Sequence, residues 1–222
     1  MIPDQVSVYN LALNAVGMRS NLSSTADKDR GAEVCNLWFP VVRDVVLAGA
    51  PWPSCRSYSR LALLVEREDE DWVATDPEPG FTFAYSAPSD MVAPRHLSTF
   101  EPFTLSSRQG SKAIMTNAAE AILFYTRRET GIHLWEDALG LAVVYALAAH
   151  ICNPLTGKPG RAQALIQQAN GLLASAQAEA NNMQMLQYES IPDWISARGY
   201  ANPSDNRYFY PMGTLLTVSN VD

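Results

Sequence analysis

Histidine and cysteine are scarce, at three residues each in a chain of 222, and their scarcity removes several chemistries. Cys35, Cys55 and Cys152 are odd in number and nowhere spaced Cys-Xaa-Xaa-Cys, which fits reduced, buried thiols better than a disulfide framework. His96, His133 and His150 form no His-Xaa-Xaa-Xaa-His or Cys/His pair at ligand spacing, so no metal and no cofactor is expected. A Gly-Xaa-Ser-Xaa-Gly elbow is missing, and Ser, His and Asp occur with no spacing that singles out a triad. No catalytic residue is assigned. Gly157-Lys158 lacks both the leading glycine and the following Ser or Thr of a phosphate loop, so residues 155–160 read as a turn.

Charge is thin as well. Only 18% of residues are charged against 47% apolar, which suits a soluble protein with some surface covered by partners. The net charge of −7 disfavours a protein that grips nucleic acid by its phosphates, since such domains carry Lys and Arg in excess. No basic segment followed by an apolar run opens the chain, and no stretch reaches ~18 consecutive apolar residues. Neither secretion nor membrane insertion is expected. The acidic run Glu66-Arg67-Glu68-Asp69-Glu70-Asp71 lacks the alternating Asx pattern and glycine of a calcium loop and reads as a solvated hairpin or loop.

What is present is helical periodicity at both ends of a strand-like middle. Val6, Tyr9, Leu13 and Val16 predict a helix capped by Asp4 and ended by Gly17. Val34, Leu37, Trp38, Val41, Val42, Val45 and Val46 predict the core-facing stripe of a second helix, bent or restarted near Pro40. Short apolar runs at 61–65, 81–85, 113–115 and 121–125, separated by Pro, Gly, Asp and Ser, predict a small antiparallel sheet. A third helix is expected from Trp135 to Ile151, stopped at Asn153-Pro154, and a long fourth one from Arg161 to Met183. The expectation is an α+β, mainly α fold: a four-helix bundle with an inserted small antiparallel β subdomain and an extended C-terminal tail. The expected parts are residues 1–58 and 132–185 for the two halves of the bundle, 59–131 for the β-rich insertion and 186–222 for the tail. Aromatics without period in that tail, Trp194, Tyr200, Tyr208, Phe209 and Tyr210, are candidate interface anchors.

Several phrases, in order, resemble the tail tubular protein A family, the head-to-tail adaptor subunits of short-tailed bacteriophages. They are Asn10-Leu11-Ala12-Leu13-Asn14-Ala15-Val16-Gly17, then Val42-Arg43-Asp44-Val45-Val46-Leu47 leading into Pro51-Trp52-Pro53-Ser54-Cys55-Arg56. Phe83-Ala84-Tyr85-Ser86-Ala87-Pro88-Ser89-Asp90-Met91, Ile114-Met115-Thr116-Asn117 and Leu123-Phe124-Tyr125 follow, and Glu136-Asp137-Ala138-Leu139 through Leu147-Ala148-Ala149 to Leu155-Thr156-Gly157 completes the set. Together they cover roughly residues 5–185. Ser54-Cys55, where the family has an aromatic-Ala pair, and Pro40 depart from the pattern.

The resemblance implies a structural, non-enzymatic virion protein of the neck, made in the bacterial host cytoplasm. Its partners would be copies of itself in a ring, a dodecamer in that family, with the portal protein above and a tail tubular protein B-like nozzle below. The ring would close the packaged head, and DNA would pass through its channel only as cargo during ejection. No membrane partner is implied. The alternatives are another virion neck or head-completion protein, or a small hydrolase with a spatially assembled site.

Overall fold

A computed structural model describes residues 2–19, 21–67, 77–108 and 110–185. The chain divides into two units, Met1–Ala180 and Asn181–Asp222, and the architecture below is that of the first, with its last helix running on to Met185.

Four helices, α1 (Gln5–Val16), α2 (Arg30–Gly49), α3 (Asp137–Thr156) and α4 (Pro159–Met185), flank seven strands in sequence. The strands are β1 (Arg56–Arg60), β2 (Ala62–Glu66), β3 (Phe83–Ser86), β4 (Met91–Leu97), β5 (Phe103–Arg108), β6 (Ser111–Thr116) and β7 (Ile122–Arg127). They form two antiparallel sheets, ordered β1-β7-β4 and β2-β3-β6-β5.

This overturns the expected four-helix bundle with a small β insert. The fold is a sheet-rich α/β one, roughly 47% helical and 23% strand over the described residues, in which two sheets stand as a structural layer of their own. Three strands escaped the sequence reading for physical reasons. β1 is Arg-Ser-Tyr-Ser-Arg and β5 is Thr- and Ser-rich, so neither shows an apolar run. β4 contains Pro94, which is tolerated because β4 is an edge strand with bulges on either side of that proline.

α1 begins where the Asp4 carboxylate accepts the Ser7 N–H at 2.8 Å, and hydrogen bonding to the Ser7 side chain first, then to this N–H, holds the Asp4 pKa below its usual value. It ends at Gly17, whose φ of 92° is the left-handed cap that glycine takes without strain. Asn10 then fixes the connection to α2 by donating to Leu22 O and accepting Leu22 N–H, at 3.0 and 2.7 Å. α3 is apolar nearly all round, with mean hydropathy 1.6 over a length that could cross a membrane. Here it lies between α1 and α2, and residues such as Leu139, Val143, Leu147 and Ile151 are buried among theirs. α4 bridges the ends of two other helices: Arg161 donates to Ala15 O at 2.7 Å, and Gln177 donates to Gly49 O at 2.5 Å.

Neither proline ends its helix: α2 does not restart at Pro40, and α3 passes the stop expected at Asn153-Pro154. α2 runs unbroken through Pro40, and α3 runs through Pro154 to Thr156. Both prolines are exposed, as are Asn36 and His150 four residues earlier. The hydrogen bond each proline removes therefore lies on a wet face, where water replaces it cheaply.

The sheets pack face to face over Tyr85, Met91, Leu97, Ile114, Leu123 and Tyr125. Since Leu123 and Tyr125 point into this core, Phe124 and Thr126 point out the other side of the three-stranded sheet. That outer face meets α2 through Arg95. Its guanidinium donates to the carbonyls of Leu47, Ala48 and Ala50 at 3.2, 3.1 and 2.7 Å, and its Nε donates to Thr126 Oγ1 at 2.8 Å. α2 has no basic residue in its own last turn, so the sheet supplies the cation that its carbonyl end attracts. Replacing Arg95 with Met keeps most of the volume and removes all four bonds. It should lower the unfolding free energy by about 2–4 kcal/mol, read from urea denaturation.

Candidate interaction surface

Among the described residues no group of three or more His, Cys, Asp or Glu is placed to hold a metal ion. The three histidines lie apart. His96 is on β4, His133 is exposed in a short 3-10 turn (Ile132–Leu134), and His150 is exposed near the end of α3, 5.0 Å from the ring of Trp38. Cys35, Cys55 and Cys152 are free and buried. Burial pushes the Cys35 thiol up to about 12 and raises that of Cys55 as well, which leaves almost no thiolate near neutrality.

Two places have the outline of chemistry without its parts. Ser54 donates both its Oγ and its N–H to the Glu136 carboxylate, at 2.7 and 2.6 Å. That carboxylate is thereby spent fastening the turn at Pro53–Cys55 to the start of α3. The Ser54-Cys55 pair that departs from the family pattern thus has a structural task. A hollow of about 340 Å³ lies beside β2 and β3, lined by Arg60, Leu61, Leu63, Phe83, Tyr85 and Glu120 among others. Arg60 is paired with Glu120 at 2.8 Å, and the Tyr85 hydroxyl is committed to Ala118 O at 2.9 Å, so it offers no activated group.

The marked features are exposed apolar surfaces. The residues expected as the core-facing stripe of α2 do not all face the core, and Val34 and Trp38 lie part-buried against it. Val42 and Val46 are buried with Cys35, Phe39 and Leu47, whereas Leu37, Val41 and Val45 are 70%, 57% and 64% exposed. The stripe is therefore corrected: its apolar arc is about twice the ~100° that one packed face occupies, and half of it faces outward. That excess width was readable in the sequence. Pro40 and Ala48 extend the outward strip, also exposed.

α4 presents a related surface. Between Arg161 and Glu179 it carries no charged residue, although Gln163, Ala164, Ile166, Gln167, Gln168, Asn170, Ala174, Ser175 and Ala178 are all exposed. Exposed helices ordinarily carry charge on their wet face, and charge depletion is the compositional mark of a covered one.

A second surface lies on the outer face of the three-stranded sheet. Register places Tyr58 opposite Phe124 and Phe124 opposite His96. The rings of Phe100 and His96 stack at 5.1 Å, those of His96 and Phe124 at 4.7 Å, and Tyr58 leans on Phe124 at 5.7 Å. Tyr58 is 72% and Phe100 51% exposed. The sequence hid this ladder because its rings come from three separate segments, β1, β4 with the turn after it, and β7.

The tail aromatics Trp194, Tyr200, Tyr208, Phe209 and Tyr210 lie outside the described residues, as does most of the acidic run after Arg67. No protein-family model matches the chain, and no curated protein matches it.

Two outcomes follow from these surroundings. In the native chain at about pH 8 the three thiols should be inert to a disulfide reagent and react fully only after unfolding, by colorimetric titration. Burial first, then the nearby Arg56 charge, lower the His96 pKa from 6.5. The unfolded chain therefore takes up the proton first, and the stabilisation present above about pH 6.5 is lost as pH falls below it. Between about pH 7 and 5, His96→Gln should lose less stability than the parent, measured by thermal unfolding.

Proposed function

We propose that this chain is a structural, non-catalytic subunit of a ring, the head-to-tail adaptor of a tailed bacteriophage. In that role copies of the chain join side by side, a portal protein docks on one side and a tail nozzle on the other, and DNA passes through the middle as cargo. The observation that carries the reading is the outward strip Leu37, Pro40, Val41, Val45 and Ala48 on α2, with the charge-free outer face of α4 as a second surface of the same character.

Magnitudes favour assembly over a small-molecule site. The α2 strip is about 17 Å long and roughly 10 Å wide, far short of the ~800 Å² per partner that a stable interface covers. A partner held by this surface must therefore reach beyond it, as a neighbouring subunit does. The order of phrases from Asn10 to Gly157 supports the adaptor in particular, and the structure attaches a physical task to some of them. Asn10 ties down the α1–α2 connection, and Trp52 folds back so that its Nε1 donates to Val46 O at 2.9 Å. The net charge of −7 per copy fits a channel that lets DNA phosphates pass without adhering.

Leu37→Asp combined with Val45→Asp tests the reading, because both side chains are exposed and neither supports the core. The variant should keep the parent's circular dichroism and lose ring formation and portal binding, read by size-exclusion chromatography with light scattering. Undiminished assembly would remove the α2 strip from the interface. A native chain that stays monomeric both alone and with a portal ring would overturn the adaptor role itself.

A further inference from the structure

The aromatic ladder on the outer face of the three-stranded sheet stands outside the hydrophobic cores of the fold. Its inner neighbours Leu123 and Tyr125 fill the core between the sheets, while Tyr58, His96, Phe100 and Phe124 stand on the opposite side, Tyr58 and Phe100 with most of their exposure intact. Large aromatic rings left on a surface in a row lose little entropy on binding and are the commonest anchors of protein interfaces.

Backbone geometry marks the ladder as built. Phe100 has φ of 57°, in the left-handed region that favours glycine. A bulky residue there costs roughly 1 kcal/mol. The turn that carries it is closed by Phe100 N–H to Leu97 O at 3.0 Å, and it sets the ring parallel to His96 within 8°. Phe100 thereby extends the row begun by Phe124 and His96.

Charge sets the kind of partner. The Arg56 guanidinium lies over the Phe124 ring at 5.8 Å, and no carboxylate among the described residues pairs with it. Arg60 follows four residues on along the same strand face, in an exposed pair with Glu120. The surface thus combines apolar rings with an exposed guanidinium. It calls for a segment that brings carboxylates together with an aromatic or aliphatic side chain. Single-stranded nucleic acid would also bring charge and rings, but one arginine with no carboxylate partner among the described residues, in a chain of net charge −7, is poor provision for a phosphate backbone.

This chain itself contains a segment of the required chemistry. Between β2 and β3 the sequence reads Glu68-Asp69-Glu70-Asp71-Trp72-Val73, four consecutive acids followed by a tryptophan and a valine. β2 and β3 belong to the four-stranded sheet, and the ladder faces away from that sheet on the far side of the sandwich. We infer that the ladder of Tyr58, Phe124, His96 and Phe100, with Arg56, docks the acidic, Trp72-bearing β2–β3 connection of a second copy of this chain. The inference rests on the proposed assembly of copies and says which surfaces meet. Two different surfaces in contact make a head-to-tail interface, the kind that closes into rings.

The test has two arms. In the first, a fluorescein-labelled peptide of residues 66–78 is titrated with the full-length chain and followed by anisotropy. Saturable binding is expected, weakened about tenfold or more by Arg56→Glu and by Tyr58→Ala, and weakened again between about 50 and about 500 mM salt. Both substituted positions are exposed, and circular dichroism verifies folding. Absence of binding, or affinity unchanged in both variants, overturns the inference, as does tight binding of an oligothymidine in place of the peptide.

In the second arm, a chain carrying Arg56→Glu and Tyr58→Ala is mixed with one in which Glu68, Asp69, Glu70 and Asp71 become Lys and Trp72 becomes Ala. Each keeps one good surface, so sedimentation should show monomers separately and a one-to-one pair on mixing. Variants that assemble alone as the parent does overturn this choice of surfaces and leave the adaptor role standing. A parent that binds the peptide yet never forms a ring, even with a portal present, does the reverse.

Discussion

The Arg95 guanidinium holds the two layers of this protein to one another. The C-terminal carbonyls of α2 need donors, α2 has no basic residue near that end, and the sheet provides one from an edge strand. Burial lowers the Arg95 pKa below its ordinary value, but a guanidinium remains charged under any condition in which the protein folds. The joint is therefore insensitive to pH. It also fixes where α2 ends against the outer face of the three-stranded sheet, and so how much of that face stays open for the aromatic ladder.

β7 carries the same logic at a finer scale. Along Leu123, Phe124, Tyr125 and Thr126, successive side chains fill the sandwich core, build the ladder, return to the core, and meet Arg95. A slip of one residue would exchange all four roles. Pairing on both sides, with β1 and with β4, is what makes such a slip expensive. Structural and surface functions thus share one strand, and neither could shift without the other.

Parts of this were open to reading from the sequence, and the reasons for the rest differ residue by residue. Asp4 and Gly17 announce α1 because capping is local chemistry. The runs around Phe83, Ile114 and Leu123 announce strands because they are buried on at least one face. β1, β4 and β5 stayed hidden since their strand character comes from neighbours: a polar alternation, an edge proline and a serine-rich stretch become strands only when something pairs with them. On α2 the apolar residues were visible and their number was a clue, but which half met the core depended on where α3 lay. The ladder was the least legible feature. It joins residues from three segments, and aromatics scattered in ones and twos along the sequence carry no period.

Pro40 bears on what can cover α2. It has no N–H to give the carbonyl of Asn36, and both residues lie on the exposed side of the helix. In water that acceptor costs nothing. Under a neighbour that is apolar throughout, it would be stranded at a cost of about 1–3 kcal/mol. A well-matched neighbour must therefore carry one hydrogen-bond donor amid its apolar surface, and that single stereochemical demand would let α2 reject partners that are merely greasy.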